Sequence, residues 1–184
     1  MSTLAVASRR HGEASLRKQW PHATLVDVTS KGPQPWVRCS PFYPHGGIPV
    51  PNSPGVFAQS VEGLWQGLKV FEHEDIDPRK WAITSMTGIK RSSHRRGAVL
   101  GHRFGVASHE LLDYLTARIK IYLPAYRWVL DQRLQTEVQE LLQLLTANPV
   151  VLLDYETNED LHDLTRPLSH AALIRAYLED RWPA

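Results

Sequence analysis

The chain has 184 residues, 42% hydrophobic and 22% charged, the proportions of one ordinary globular domain and not of a disordered chain. Its single cysteine, Cys39, excludes an internal disulfide and a cysteine-based zinc site and points to a reducing, cytoplasmic setting. The 21 Lys and Arg against 19 Asp and Glu leave a net charge of +2, which names no partner. No apolar run is long enough for a membrane span, and MSTLAVASRR lacks the order of a secretory signal.

In chain order, residues 1–19 read as a polar, basic N-terminal arm, and 20–184 as a single globular domain. Prolines 21, 33, 35, 41, 44, 49, 51 and 54 exclude long helices from residues 20–58. Within that stretch, ATLVDVTS (23–30) predicts one strand. Ser60 is a good N-cap, and Val61, Leu64, Trp65, Leu68 and Phe71 then fall on one helical stripe. Asp77–Pro78 predicts a second, short helix ending near Gly88. Residues 88–107 read as a basic loop.

Ser108 is expected to cap a helix with Leu111, Leu112, Leu115 and Ile119 inward, broken or kinked at Pro124. Helical periodicity resumes through Leu145 and stops at Asn148–Pro149. VVLLDY (150–155) predicts a buried strand, 156–166 a polar loop and 168–181 a final helix. The fold class is mainly α with a small β component (α+β).

Charge is unevenly distributed. No acidic residue lies between Asp77 and Glu110, a window that holds Arg79, Lys80, Lys90, Arg91, Arg95, Arg96 and Arg103. A local positive field follows, with phosphate the obvious anion. Walker, dinucleotide, zincin and nucleophile-elbow motifs are absent. No metal site or cofactor is expected.

Glu62, in the first turn after Ser60, is either a carboxylate complementing the helix dipole or one held at a pocket rim by a rigid element. Trp65 is a core residue or a stacking platform, and Lys69 a solvated cation or a phosphate ligand. The loop after VVLLDY carries Asp154, Asn158, Asp160, His162 and Asp163. It is an acidic surface loop or a set of functional groups at a strand end.

SVEGLWQGLKVF (60–71) resembles the S-x-E-H-x-[YFW]-Q-A-x-K helix of the NADAR (YbiA-like) N-glycosidase superfamily. Ser60, Glu62, Trp65, Gln66 and Lys69 match it in one register. VVLLDYETNEDLHD (150–163) is similar to that family's second motif, with Asp154 and Asn158 at its acid and Asn positions. SPFYPHGGIPVP (40–51) is also similar to a group of phage and bacterial proteins of unknown function.

The resemblance implies a single NADAR-like domain that hydrolyses an N-glycosidic bond on a ribosyl phosphate or ADP-ribose-type substrate. Carboxylates would stabilise an oxocarbenium ion or activate water. Glu62, Asp163 and Asp154 would be the catalytic acids. Lys69, Lys90 and Arg91 would hold phosphates, Trp65 would stack on a ring, and Asn158 would contact substrate. The partner would be a small nucleotide or an ADP-ribosylated substrate, with nucleic acid a further candidate and no membrane. The alternative is a non-catalytic nucleotide or nucleic-acid binding protein of the same fold.

Overall fold

A computed structural model describes residues 3–183. The fold is mixed α+β. In chain order the elements are β1 (Leu4–Ser8), α1 (Glu13–Gln19), β2 (Thr24–Asp27), a 3-10 turn (Trp36–Cys39), β3 (Ile48–Pro49) and β4 (Phe57–Ala58). Then come α2 (Val61–Leu68), β5 (Lys69–Phe71), a second 3-10 turn (Pro78–Lys80), β6 (Val99–Arg103) and β7 (Leu111–Leu112). The rest is α3 (Tyr114–Ala117), a π-helical turn (Arg118–Tyr122), α4 (Leu123–Gln132), α5 (Gln135–Ala147), β8 (Val150–Asp154) and α6 (His170–Leu178). These form two compact units, Met1–Ser40 with Leu134–Ala184, and Pro41–Arg133.

The first unit is built on a parallel sheet in the order β1-β8-β2. All five residues of β8 are buried, as a central strand covered on both faces requires. Leu4 pairs with Val150 and Ser8 with Asp154 on one side, and Thr24 with Val150 and Asp27 with Leu153 on the other. Residues 1–19 are therefore not a polar arm over their described part. Leu4, Ala5 and Ala7 are buried along β8, and Leu16 of α1 is buried with Ala5, Ala7, Ala23, Val151 and Leu153. The apolar run is short and is followed by Arg9 and Arg10. It becomes a strand only because β8 offers a free edge of backbone donors and acceptors.

The second unit is organised by α2. Ser60 caps it, its hydroxyl accepting from the Gly63 N–H at 3.0 Å, as the sequence predicts. All eight helical residues are buried. The helix stops at Leu68, however. Lys69–Phe71 leaves as β5 and joins an antiparallel sheet in the order β5-β6-β7, so Phe71 is buried from a strand and not from the helical stripe. Gly63 and Gly67 let the Lys80–Trp81 segment lie against the helix. A Cβ on Gly63 would come within 2.6 Å of the Lys80 carbonyl oxygen, and one on Gly67 within 1.9 Å of Trp81 Nε1.

Other expectations are corrected by the sheet. The 88–107 stretch contains β6, because its Val99–Arg103 backbone completes β5. Asp77–Pro78 starts only a 3-10 turn, with Asp77 accepting from the Arg79 N–H. Leu111 and Leu112 pair with Arg103 and His102 in β7, so the next helix starts later. Its cap is Asp113, which accepts from the Thr116 N–H at 2.8 Å, and not Ser108. Pro124 does not break the helix. Tyr114–Gln132 runs on as α3, the π-helical turn and α4, and the π-helical turn directly before Pro124 is the local irregularity that a proline inside a helix calls for.

Gly67→Ala tests the close approach of α2. Alanine favours a helix by about 1 kcal/mol over glycine, yet the variant should lose about 1–3 kcal/mol through overpacking against Trp81. Urea denaturation of the two proteins reads the sign directly, and a more stable variant would show that the approach is not tight.

Candidate functional site

Helix α2 carries Glu62 and Gln66 one turn apart, and both are buried. Gln66 Nε2 donates to Glu62 Oε1 at 2.9 Å, and Gln66 Oε1 accepts from the Arg91 N–H at 3.0 Å. The amide is thus held at both ends and fixes the carboxyl. Glu62 Oε2 accepts no hydrogen bond from the described residues. Burial pushes the Glu62 carboxyl above its usual range, against the pull of the Gln66 amide and of Lys90 and Lys69.

Lys69 follows one residue after the helix, in β5. Its ammonium makes no hydrogen bond or ion pair among the described residues. Burial lowers its pKa, with Glu62 opposing and Arg91 and Lys90 adding to the fall. Lys90 is exposed, its Nζ 5.5 Å from the centre of the Phe42 ring. Arg91 has a different role from the phosphate ligand expected. Its guanidinium is fully buried and donates to the carbonyls of Gln66 (3.0 Å), Lys69 (2.6 Å) and Asp75 (2.7 Å). It also pairs with Glu74 at 3.2 Å.

The positive field of residues 78–109 is largely answered from just outside it. Glu74 pairs with Arg96 at 2.5 Å, Asp75 with Arg103 through both oxygens, and Asp77 with Arg79. The absence of local acids in the sequence misled because the acids of 72–77 fold back over the basic run.

Trp65 is buried, and its ring centre is 3.7 Å from that of His102, with Tyr114 and Tyr122 at 5.9 and 5.7 Å. It walls the site and leaves no open face to stack on. His102 is directly opposite Lys69 across the β5–β6 pair. The ring is buried, and neither nitrogen has a hydrogen-bond partner. Burial, with Lys69 and Arg91 nearby, pushes its pKa down to about 3, so the imidazole is neutral at ordinary pH. Beside it lies a cavity of ≈ 380 Å³ lined by Lys69, by 99–102 of β6 and by Asp113 and Tyr114. Glu62 is not among its lining residues; Lys69 lines the cavity and carries the charge that acts on Glu62.

His102, Asp113 and Tyr114 were not legible as site residues. His102 lies in the stretch read as a basic loop, and Asp113 and Tyr114 in the one read as a helix from Ser108; the β5–β6–β7 pairing brings them to Lys69.

Asp154, Asn158 and Asp163 belong to the other unit. Asp154 closes the end of β8. Its Oδ1 accepts from the Tyr155 N–H at 2.7 Å, and its Oδ2 from Ser169 Oγ at 2.8 Å and His170 Nδ1 at 2.9 Å. His170 Nε2 lies 2.8 Å from the Val28 carbonyl oxygen. Two acceptors on two ring nitrogens call for the imidazolium form. Burial opposes that charge, but Asp154 outweighs it and raises the His170 pKa. In return, although burial raises it, the carboxyl of Asp154 is lowered by His170 and Ser169.

Asp154 is therefore a fold residue and not an acid free to act on substrate. Asn158 likewise ties its loop together, donating to the carbonyls of Asp163 and Arg166 and accepting from the Asp160 N–H. Asp163 accepts from Thr165 and Arg166, which hold its carboxyl down at about 2.

Among the described residues no His, Cys, Asp and Glu side chains gather as a metal site, and no helix is long and apolar enough to cross a membrane. What the fold presents is a mixed α+β protein with a buried carboxyl, a lysine without a partner among the described residues and a cavity that this lysine lines. The chain belongs to the family of unknown function DUF6939, which matches residues 8–174. No curated protein and no solved structure matches it.

The Asp154–His170 pair makes a pH prediction. The folded His170 pKa is above its unfolded value of about 6.5, so its contribution is complete below that pH and lost as pH rises through the folded value. The folded Asp154 pKa is below about 3.9, so its contribution is complete above that pH and lost as pH falls through the folded value. Asp27 adds to the field on His170. Asp154→Asn should cost about 3–5 kcal/mol where the pair is fully charged. The stability gap between wild type and variant should be widest between about pH 4 and 6.5. Denaturant titrations across pH read it, and a gap constant with pH would remove the ion pair from the argument.

Proposed function

We propose that the chain is an N-glycosidase-like hydrolase acting on a ribosyl-phosphate or ADP-ribose-type N-glycosidic bond, with Glu62 its reactive carboxyl. One observation carries the reading. The Glu62 carboxyl is desolvated and fixed through Oε1 by Gln66, while Oε2 has no hydrogen-bond donor. A carboxyl with a raised pKa and one open oxygen suits a general base working near neutral pH. The register Ser60, Glu62, Trp65, Gln66, Lys69 adds the likeness to NADAR proteins.

In this reaction the C1′–N bond breaks and its electron pair leaves with the base, which, unless it departs neutral as nicotinamide does, takes up a proton from solvent, while Glu62 later returns to solvent the one it receives from water. Positive charge develops at C1′, and water attacks there while giving a proton to Glu62 Oε2. The carboxylate offsets the developing oxocarbenium charge. Lys69 and Lys90, the cations that act on Glu62, supply positive charge for a substrate phosphate. Arg91 positions Gln66 and so acts on the carboxyl only through the amide. A cytoplasmic setting belongs to the same proposal, since the single thiol, Cys39, is buried and kept as a thiol there.

The test is release of free base and ribose phosphate, read by chromatography, from NAD, ADP-ribosylated guanine and pyrimidine and purine ribosyl phosphates. Turnover of at least one is expected. Glu62→Gln keeps the shape and the acceptor for Gln66 but loses the base. It should cut turnover by about 10²-fold or more and change stability by less than about 1 kcal/mol. A wild-type chain that cleaves none of them, or a variant with full activity, overturns the hydrolase. Binding without cleavage would put the non-catalytic nucleotide-binding reading in its place.

A further inference from the structure

We infer that the cavity beside β6 is a nucleoside-monophosphate subsite, with Lys69 holding the phosphate, His102 hydrogen-bonding the ligand and Leu100 and Tyr114 flanking its planar ring. This rests on the ribosyl-phosphate reading for the identity of the anion, but its support comes from different residues.

The first support is unsatisfied polarity. Buried polar side chains nearly always have partners. His102 is 1% exposed, lines the cavity and leaves both ring nitrogens unpartnered. Opposite it in the sheet, the half-buried Lys69 has no acceptor either. Two such groups on neighbouring strands, both on one cavity, offer a polar ligand a cation, a donor and an acceptor together. Other buried nitrogens of the unit, Trp81 Nε1, Arg91 Nε and Arg103 Nε, also have no partner, but none of their residues lines the cavity.

The second support is the chemistry of the walls. Lysine acts on phosphate as a point charge, and burial makes the contact stronger than at the surface. A neutral imidazole offers one donor and one acceptor, which suits a ligand with both kinds of group and is poorly used by a bare anion. Leu100 is 52% exposed and Tyr114 37%. They form an apolar rim that a ring would cover. Asp113 sits on the cavity too, with its carboxylate capping α3 through the Thr116 N–H and hydroxyl. It repels a phosphate and accepts from hydroxyls. The ligand is thereby polarised, with its anion at Lys69 and its sugar hydroxyls toward Asp113. The cavity volume is within the range of small-ligand sites.

The test uses isothermal titration of the full chain with three probes: adenosine 5′-monophosphate, ribose 5-phosphate and adenosine. The monophosphate should bind about tenfold or more tightly than either part, as one charged hydrogen bond or one buried ring contributes. Lys69→Met should reduce its affinity to that of adenosine. In ¹⁵N-labelled protein the His102 ring nitrogens should shift on its addition.

Leu100→Asp, at an exposed position, should weaken the monophosphate with an unchanged melting temperature, which decides the matter even if Lys69→Met is unstable. Equal affinities for the monophosphate and ribose 5-phosphate, unmoved His102 signals or a normal Leu100→Asp would each overturn the subsite. The two readings fail separately. Monophosphate binding of this pattern without any hydrolysis removes the hydrolase and keeps the subsite. Hydrolysis with all three binding results negative keeps the hydrolase and removes the subsite.

Discussion

Helix α2 is eight residues long, and every one of them is buried. The rest of its unit follows from what that demands. Two of the eight, Glu62 and Gln66, are polar and cannot turn to water, so their partners must come from the fold. Gln66 spends its amide on Glu62 and on the backbone of residue 91. The Arg91 side chain then returns to the carbonyls at the end of the helix, the start of β5 and the loop at Asp75. One buried guanidinium therefore ties the loop at residue 91 to the end of α2, the start of β5 and the turn after it, while its face packs 4.9 Å from the Phe71 ring. Such a network is strong when complete and costly when a single member is lost.

Satisfaction stops at a definite place. Around Gln66 and Arg91 the groups left without a partner include one oxygen of Glu62, the ammonium of Lys69 and both nitrogens of His102, besides Trp81 Nε1, Arg91 Nε and Arg103 Nε. Lys69 and His102 are paired across the β5–β6 strands, so the hydrogen-bonding register of a short sheet sets their spacing. Trp65 packs on His102 and holds its ring in place. Tryptophan here does the work of a wall, which explains its burial. The open oxygen of Glu62, the cation and the neutral imidazole are each carried by α2 or by a strand, and rigid elements position side chains more closely than loops do.

The other unit solves a related problem with charge. β8 ends in a buried Asp154, and α6 begins at Ser169 and His170. The carboxylate accepts from both, and the imidazole reaches on to the Val28 carbonyl just past β2. A cation in the first turn of a helix opposes the helix dipole, and only the adjoining carboxylate makes it tolerable. The pair ties a central strand, an edge strand and a helix start together. Asn158 repeats the device in the loop between them, since its side chain bonds both Asp163 and Arg166 backbone carbonyls.

Much of this was legible in the residues. The Ser60 cap, the buried β8 run, the β2 alternation and the final helix are local patterns, and each depends on chemistry within a few residues. Glu62 stood out for the same reason, because the capped helix places it, whereas Lys69, expected beside the same helical face, is placed by β5. Other features could not be read. β1 exists because β8 has an edge to fill, and β6 because β5 has one. Arg91 looked like a free cation in a basic stretch, yet Glu74 and three carbonyls claim it. Asp154 looked like a reactive acid at a strand end, yet His170 and Ser169 use both of its oxygens between them and the Tyr155 N–H. The sequence by itself determined where the helices are capped and which strands are apolar, since those are short-range matters of hydrogen bonding and burial. Only the tertiary structure decided which charged groups are spent and which are left over, because a side chain's partners are chosen by contacts between segments far apart in the chain.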